Sequence, residues 1–350
     1  MSKLRYAQVA YMPYAPIKEE FRIGNYEVWS YYKEVKIRVL EETTIKYLDL
    51  LFGRYYERKY SAKRGGYDCK IKDIFIITPL GFNLGQDVYS NNQINDIRAI
   101  VHSITFSAIC ELSYSSSSSD AFIFYLQNFT VGKDGIGIQD KYYSKLDMVK
   151  FIKPYNIPAT IIKFTKTPLC DALGKALTFK ERIQIKRLFR SIELFYHTAT
   201  YGDMITNEHR ILFLVMCFED ILGFENKIEF VKKIEMILYN YNPSLETRLI
   251  NYKNIEKPVE KSKTSWWAFD LYNLRSQIIH IEEINWEVKK YGDVWARIKF
   301  GGFLLRKIVK TILKNESIWE STLPDIILES QRLDERLEEI VEDFRMLTGI

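Results

Sequence analysis

The spacing of apolar residues changes once along this chain, and no other feature constrains the fold as strongly. Up to about residue 165 apolar and β-branched residues tend to alternate with polar ones; from Thr178 onward they recur three and four apart. Side chains alternate between the two faces of a strand and line one face of a helix every 3.6 residues. One chain therefore carries two architectures, and an α+β fold follows: an N-terminal antiparallel β-rich domain over 1–165 and a C-terminal all-α bundle over 175–350. The boundary falls within 153–174, which holds three of the nine prolines.

In the first part, residues 26–40 and 67–78 read as strands around a turn at Lys63-Arg64-Gly65-Gly66. Residues 97–112, 121–131 and 158–164 read as further strands. The serines of 115–119 and the stretch Gly132-Lys133-Asp134-Gly135-Ile136-Gly137 mark surface loops, the latter a hairpin. Short strands with Gly and Ser turns predict a sandwich or barrel, and an aromatic content of 15% suits half-buried strands. In the second part, Thr178-Phe179-Lys180-Glu181 fits a capping box opening a helix to about residue 200. Further helices are expected over 208–224, 226–239, 264–283, 291–314 and 324–347. The last places Leu333, Leu337, Ile340, Phe344 and Leu347 at spacings of four and three, a seam that either closes its own bundle or pairs two copies.

A content of 47% hydrophobic and 27% charged residues describes a globular chain. The longest strictly apolar run is the eight residues 211–218, too short to span a bilayer, so a cytoplasmic protein without membrane contact is expected. Cys69, Cys110, Cys170 and Cys217 are too scattered for a zinc knuckle or a disulfide framework and read as core thiols. The net charge of +5 is unevenly spread. Residues 1–165 hold 22 Lys and Arg against 17 Asp and Glu, residues 166–314 hold 25 against 18, and residues 315–350 hold 3 against 10. An acidic tail masks a body of +12, which is compatible with an anionic partner such as RNA.

Motifs for several enzyme classes are missing. There is no GxxxxGK[ST] loop, no GxSxG, and the glycines of 132–137 do not follow GxGxxG, so no nucleotide cofactor is implied. Glu34-Val35-Lys36 and Asp68-Cys69-Lys70 match only the last fragment of a metal-nuclease motif and read as solvent-facing charges on strands; no metal site is expected. Four histidines are available for proton transfer. His102 falls in an apolar strand pattern, while His197 and His209 flank a helix-helix turn. His280 ends the string Leu271-Tyr272-Asn273-Leu274-Arg275-Ser276-Gln277-Ile278-Ile279-His280, five positions after an arginine on one predicted helix.

At 100° per residue, Trp267, Leu271, Leu274, Ile278 and Ile281 form the core stripe of that helix. Arg275 lies outside it on one side and His280 on the other, and Asp270, Asn273, Gln277 and His280 form a polar row. Arg275 and His280 point about 140° apart. One copy presents them poorly to a single phosphate; two copies meeting at a dyad could combine them.

The segment Arg210-Ile211-Leu212-Phe213-Leu214-Val215-Met216-Cys217-Phe218-Glu219-Asp220-Ile221-Leu222, the R-x4-H string ending at His280, and the helix over 301–313 together resemble the HEPN ribonucleases, in particular the Apea-like group found in antiphage defence proteins. The resemblance covers about 178–315. Many relatives have Gly after the motif His, where this chain has Ile281. The resemblance implies a metal-independent endoribonuclease effector of antiphage defence (abortive infection), a homodimer formed through the helical domain whose two R-x4-H motifs line one cleft, with no cofactor. His280 would transfer protons during attack of a ribose 2′-hydroxyl on the adjacent phosphate, and Arg275 would hold that phosphate. Ser276, Asn273 and Gln277 would contact RNA. A phage-derived trigger would act on the N-terminal domain. The alternative is a catalytically inactive HEPN dimer serving as an RNA-binding or regulatory module.

Overall fold

The structure is a computed structural model describing residues 5–15, 17–39, 41–53, 55–61, 65–71, 74–111, 125–132, 135–137, 164–199, 205–239, 262–280, 284, 291–320 and 333–348. The chain divides into two compact units, 1–177 and 178–350. The first is built on an antiparallel sheet and the second is helical, as the change of period predicts.

In the first unit, strands β1 (Arg5–Met12), β2 (Phe21–Ile23), β3 (Tyr26–Ser30), β6 (Phe75–Pro79), β7 (Tyr125–Gly132) and β8 (Gly135–Gly137) pair in the order β2-β3-β6-β1-β7-β8, while β4 (Tyr56–Ser61) and β5 (Gly65–Lys70) form a separate hairpin. The register sets Ala7 opposite Phe129, Tyr11 opposite Ile76, and Trp29 opposite Ile76. These residues share one face and pack on helices α1 (Tyr31–Arg38) and α2 (Glu42–Phe52) through Val35, Leu48, Leu51 and Phe52. On the opposite face Ala10, Met12, Val28 and Ile77 are buried as well, and Tyr26 donates to Asp96 at 3.0 Å on helix α3 (Asn91–Glu111). Helix α4 (Pro168–Ala176) packs against α3 and β2. Gly24, at φ +57°, lies so close to Gly174 that a Cβ at 24 would sit 2.6 Å from the Gly174 carbonyl oxygen, which seats α4 on the β2-β3 turn.

Neither a sandwich nor a barrel is present among the described residues: one sheet is covered by helices on both faces. Two expected strands are helices. Residues 97–111 belong to α3, which is buried on nearly every side from Ile100 to Cys110 and so has no one-sided apolar stripe to betray it. Residues 31–38 form α1, where Glu34 pairs with Arg38 one turn on. The hairpin at 132–137 is present, with Gly132 opposite Gly135. Gly65 and Gly66 of the expected turn are strand residues of β5, which pairs with β4 rather than with residues 26–40, and Lys63 and Arg64 lie outside the described residues. The serine loop at 115–119 lies outside the described residues. So does most of 158–164, whose last residue, Phe164, bridges Ile17.

The helical unit contains α5 (Ile183–Ala199), α6 (Asn207–Leu222), α7 (Lys227–Tyr239), α8 (Lys263–Ile279), α9 (Val294–Asn315) and α10 (Leu333–Thr348). Residues 177–179 form a 3-10 turn and α5 starts only at Ile183, so the box at Thr178 does not open the helix. Trp267 is the centre of the core, edge-on to Phe218 and Phe300. Gly301 of α9 meets Leu214 of α6 so closely that a Cβ would approach Leu214 Cδ1 to 2.9 Å. In α10, Leu333, Leu337 and Ile340 are buried and the helix packs on α8 and α9, so this part of the seam closes its own bundle. Cys110, Cys170 and Cys217 are buried thiols outside any disulfide. No helix among the described residues is long and apolar enough to cross a membrane.

Candidate functional site

Helix α8 carries every residue singled out for chemistry, and its first turn is held by three elements. Ser262 caps it, accepting from the Ser265 amide at 3.1 Å. Glu235 of α7 accepts from the hydroxyls of Ser262 and Ser265. Asp334 of α10 accepts from the Lys263 amide (3.1 Å), the Thr264 amide (2.8 Å) and the Thr264 hydroxyl (2.6 Å). Free amides and the positive end of the helix dipole both favour carboxylates here. Trp267, Leu271 and Leu274 follow as buried core positions, while Ile278 is only part-buried: the expected stripe holds for the first three turns and fades towards the C-terminus. Ile281 lies outside the described residues.

Arg275 faces α6. Its Nη2 lies 3.2 Å from Glu219 Oε1, and the guanidinium stacks over the Tyr272 ring with 5.1 Å to the centroid. Both partners of the ion pair retain about a quarter of their side-chain exposure (26% and 25%), and the pair engages only Nη2 of the guanidinium. His280 is exposed and is the C-cap of α8, with its amide donating to Ser276 O at 3.0 Å. Its ring makes no hydrogen bond or ion pair among the described residues. Ser276 and Gln277 are part-buried on the same last turns.

The polar row does not survive as one row. Asp270 pairs with the fully buried Arg297 of α9 at 2.7 Å, and Asn273 accepts from Lys227 Nζ at 2.8 Å. Arg275 and Asn273 are thus both drawn to the α6-α7 junction, whereas His280 stands at the helix end. The Tyr291 hydroxyl, near the Asp270-Arg297 pair, is pushed up to about 12 by burial first and by the negative charge of Asp270 second. His102 lies in α3 rather than a strand and is buried. His209 sits in the first turn of α6, its Nδ1 2.9 Å from the Thr206 hydroxyl. Glu34 of the first metal-nuclease fragment is on helix α1 and pairs with Arg38, and among the described residues no three His, Cys, Asp or Glu side chains converge.

Glu219 is the site residue that sequence reasoning passes over. The signal was available: Glu219-Asp220 is an acidic pair that directly follows the apolar run 211–218, and such a pair needs cationic partners. No family model, curated protein or solved structure matches this chain.

Proposed function

We propose that the helical unit is an HEPN-type endoribonuclease that cleaves RNA without a metal, and that two copies combine their Arg275 and His280 in one cleft. The observation that carries this reading is the contrast on α8: a core-anchored helix ends in an exposed His280 whose ring has no partner among the described residues, five positions after an arginine that keeps about a quarter of its side-chain exposure beside its ion pair with Glu219. An imidazole left free in water is available for proton transfer. A guanidinium held by one carboxylate and one ring is oriented yet able to take a phosphate.

In this reaction the 2′-oxygen forms a bond to the adjacent phosphorus while the bond from phosphorus to the 5′-oxygen breaks. His280 of one copy takes the 2′-hydroxyl proton and later returns it to solvent, the leaving 5′-oxygen takes a proton from water, and Arg275 holds the phosphate oxygens as charge develops on them. The products are a 2′,3′-cyclic phosphate and a 5′-hydroxyl. The 140° divergence of Arg275 and His280 on one helix is the reason for invoking the second copy.

The engagement of Arg275 by Glu219 favours a second reading, in which the pair is structural and the unit binds RNA or a partner without cleaving it. Cleavage of single-stranded RNA in EDTA separates the two. His280→Ala and Arg275→Ala should each reduce the rate at least about a hundredfold, the low end for losing a positioned proton carrier, with the melting temperature unchanged. Equal rates for His280→Ala and the unaltered protein would refute the assignment.

A further inference from the structure

The C-terminus of α6 is surrounded by cations from three other helices. Arg275 of α8 reaches Glu219 at 3.2 Å, and Arg190 of α5 reaches Asp220 at 3.6 Å. Lys233 of α7 donates to the Leu222 and Gly223 carbonyls at 2.6 and 2.7 Å. Arg187 of α5 completes the group: a Cβ at Gly223 would sit 3.4 Å from Arg187 Nη1 and 3.9 Å from Lys233 Nζ, so both cations lie within 4 Å of one point.

Local needs of the fold do not account for all four charges. The two carboxylates contribute −2, and the helix end is equivalent to roughly −0.5. Lys233 alone already satisfies two of the last carbonyls of α6. Arg187 is exposed and has no carboxylate partner among the described residues, and it shares the space above Gly223 with Lys233. Arg190 keeps 68% of its side-chain exposure. Arg187 and Arg190 therefore present positive charge to solvent from α5 at this helix end. Gly223 matters to this arrangement, because at φ +65° without a side chain it leaves the space between Arg187 and Lys233 open.

We infer that Arg187 and Lys233, flanked by Arg190, form a phosphate-binding track that leads the backbone of single-stranded RNA to Arg275. This rests on the ribonuclease reading above for its end point, although the track binds phosphate whether or not the site cleaves. Its contacts are to phosphates rather than bases, so binding is sequence-tolerant and salt-dependent.

The test uses the full chain carrying His280→Ala, so that a fluorescent single-stranded RNA stays intact, with affinity read by anisotropy over a salt series. Adding Arg187→Gln and Arg190→Gln should weaken binding at least about tenfold. It should also flatten the dependence of log affinity on log salt by about 1.4, since each lost phosphate contact on a single strand removes about 0.7. Lys46→Gln, on helix α2 of the other unit, should change neither quantity. An unchanged affinity and slope in the double variant, or equal weakening by Lys46→Gln, would overturn the track. Failure of the ribonuclease reading has a different signature: the unaltered protein would leave RNA uncut while the double variant still lost its RNA affinity.

Discussion

At Arg275 the competition between two anions decides whether the side chain serves a ligand or only its own fold. The ion pair with Glu219 is about a quarter exposed on each side and single-pronged, and such pairs contribute roughly 0 to 1 kcal/mol. A phosphate offers the guanidinium two parallel, charge-assisted bonds, so it should outcompete Glu219 without dislodging the Tyr272 stack. Glu219 still repels that phosphate. Glu219→Gln should therefore tighten RNA binding two- to fivefold in the His280→Ala background, the upper end corresponding to about 1 kcal/mol. A tenfold loss of affinity would mean instead that Glu219 holds Arg275 in its binding pose. Much of this residue-scale picture was legible in the sequence. The helical wheel separated Arg275 from His280 and placed both outside the core stripe, because those angles follow from backbone geometry alone. It could not show that Arg275 meets Glu219, or that Asp270 is drawn to Arg297, since those partners lie on other helices and depend on how the helices pack.

Among the elements, α8 shows how a helix can be fixed at one end so that the other is presented to solvent. Its N-terminus is tied by Ser262, Glu235 and Asp334, and Asp334 alone accepts from two backbone amides and one hydroxyl. Asp334→Ala strips those bonds from partly buried donors. A lost helix cap costs about 1 kcal/mol and hydrogen bonds to charged groups somewhat more, so a loss of about 2 kcal/mol is expected. It should appear as a lower denaturant midpoint, and an unchanged midpoint would show that Ser262 and Glu235 suffice. Element identity was least legible where burial was most complete. In α3 the run from Ile100 to Cys110 is buried throughout, which erases the helical period and leaves a β-branched texture that mimics a strand. The information was nevertheless present just upstream: Ser90 and Gln93 exchange hydrogen bonds as a capping box, the Ser90 amide donating to Gln93 Oε1 at 2.8 Å and the Gln93 amide to Ser90 Oγ at 3.3 Å. At Thr178 the same pattern misled, because a 3-10 turn intervenes before α5.

For the molecule as a whole, the change of hydrophobic period marked the two-part organisation, since a sheet and a bundle bury their faces with different repeats. It could not show that the sheet is covered on both faces, because short apolar strands look alike in a sandwich and beneath helices. The two units also differ in a property that can be measured on the intact chain. In the sheet-based unit Tyr11, Tyr26, Tyr31 and Tyr89 all hold their protons more tightly than free tyrosine, in each case chiefly through burial. Asp96 beside Tyr26 and Asp49 beside Tyr31 add to the effect, and at Tyr11 the neighbouring Tyr55 does so. Folded values raised above the unfolded value of about 10 mean that both states are fully protonated below that pH, so this stabilisation is complete at neutrality. As the pH climbs past 10 the unfolded chain releases protons that the folded unit retains, and stability falls until the folded values are passed. Among the described residues the helical unit holds one such tyrosine, Tyr291, raised to about 12, and this unit should lose less. Above pH 10 a cooperative step in tyrosinate absorbance should therefore coincide with loss of the sheet signal in circular dichroism. Tyr26→Phe, which removes one of the groups driving that step, should move it to higher pH. Smooth titration of every tyrosine near pH 10 with the sheet signal intact would show that these hydroxyls are open to solvent.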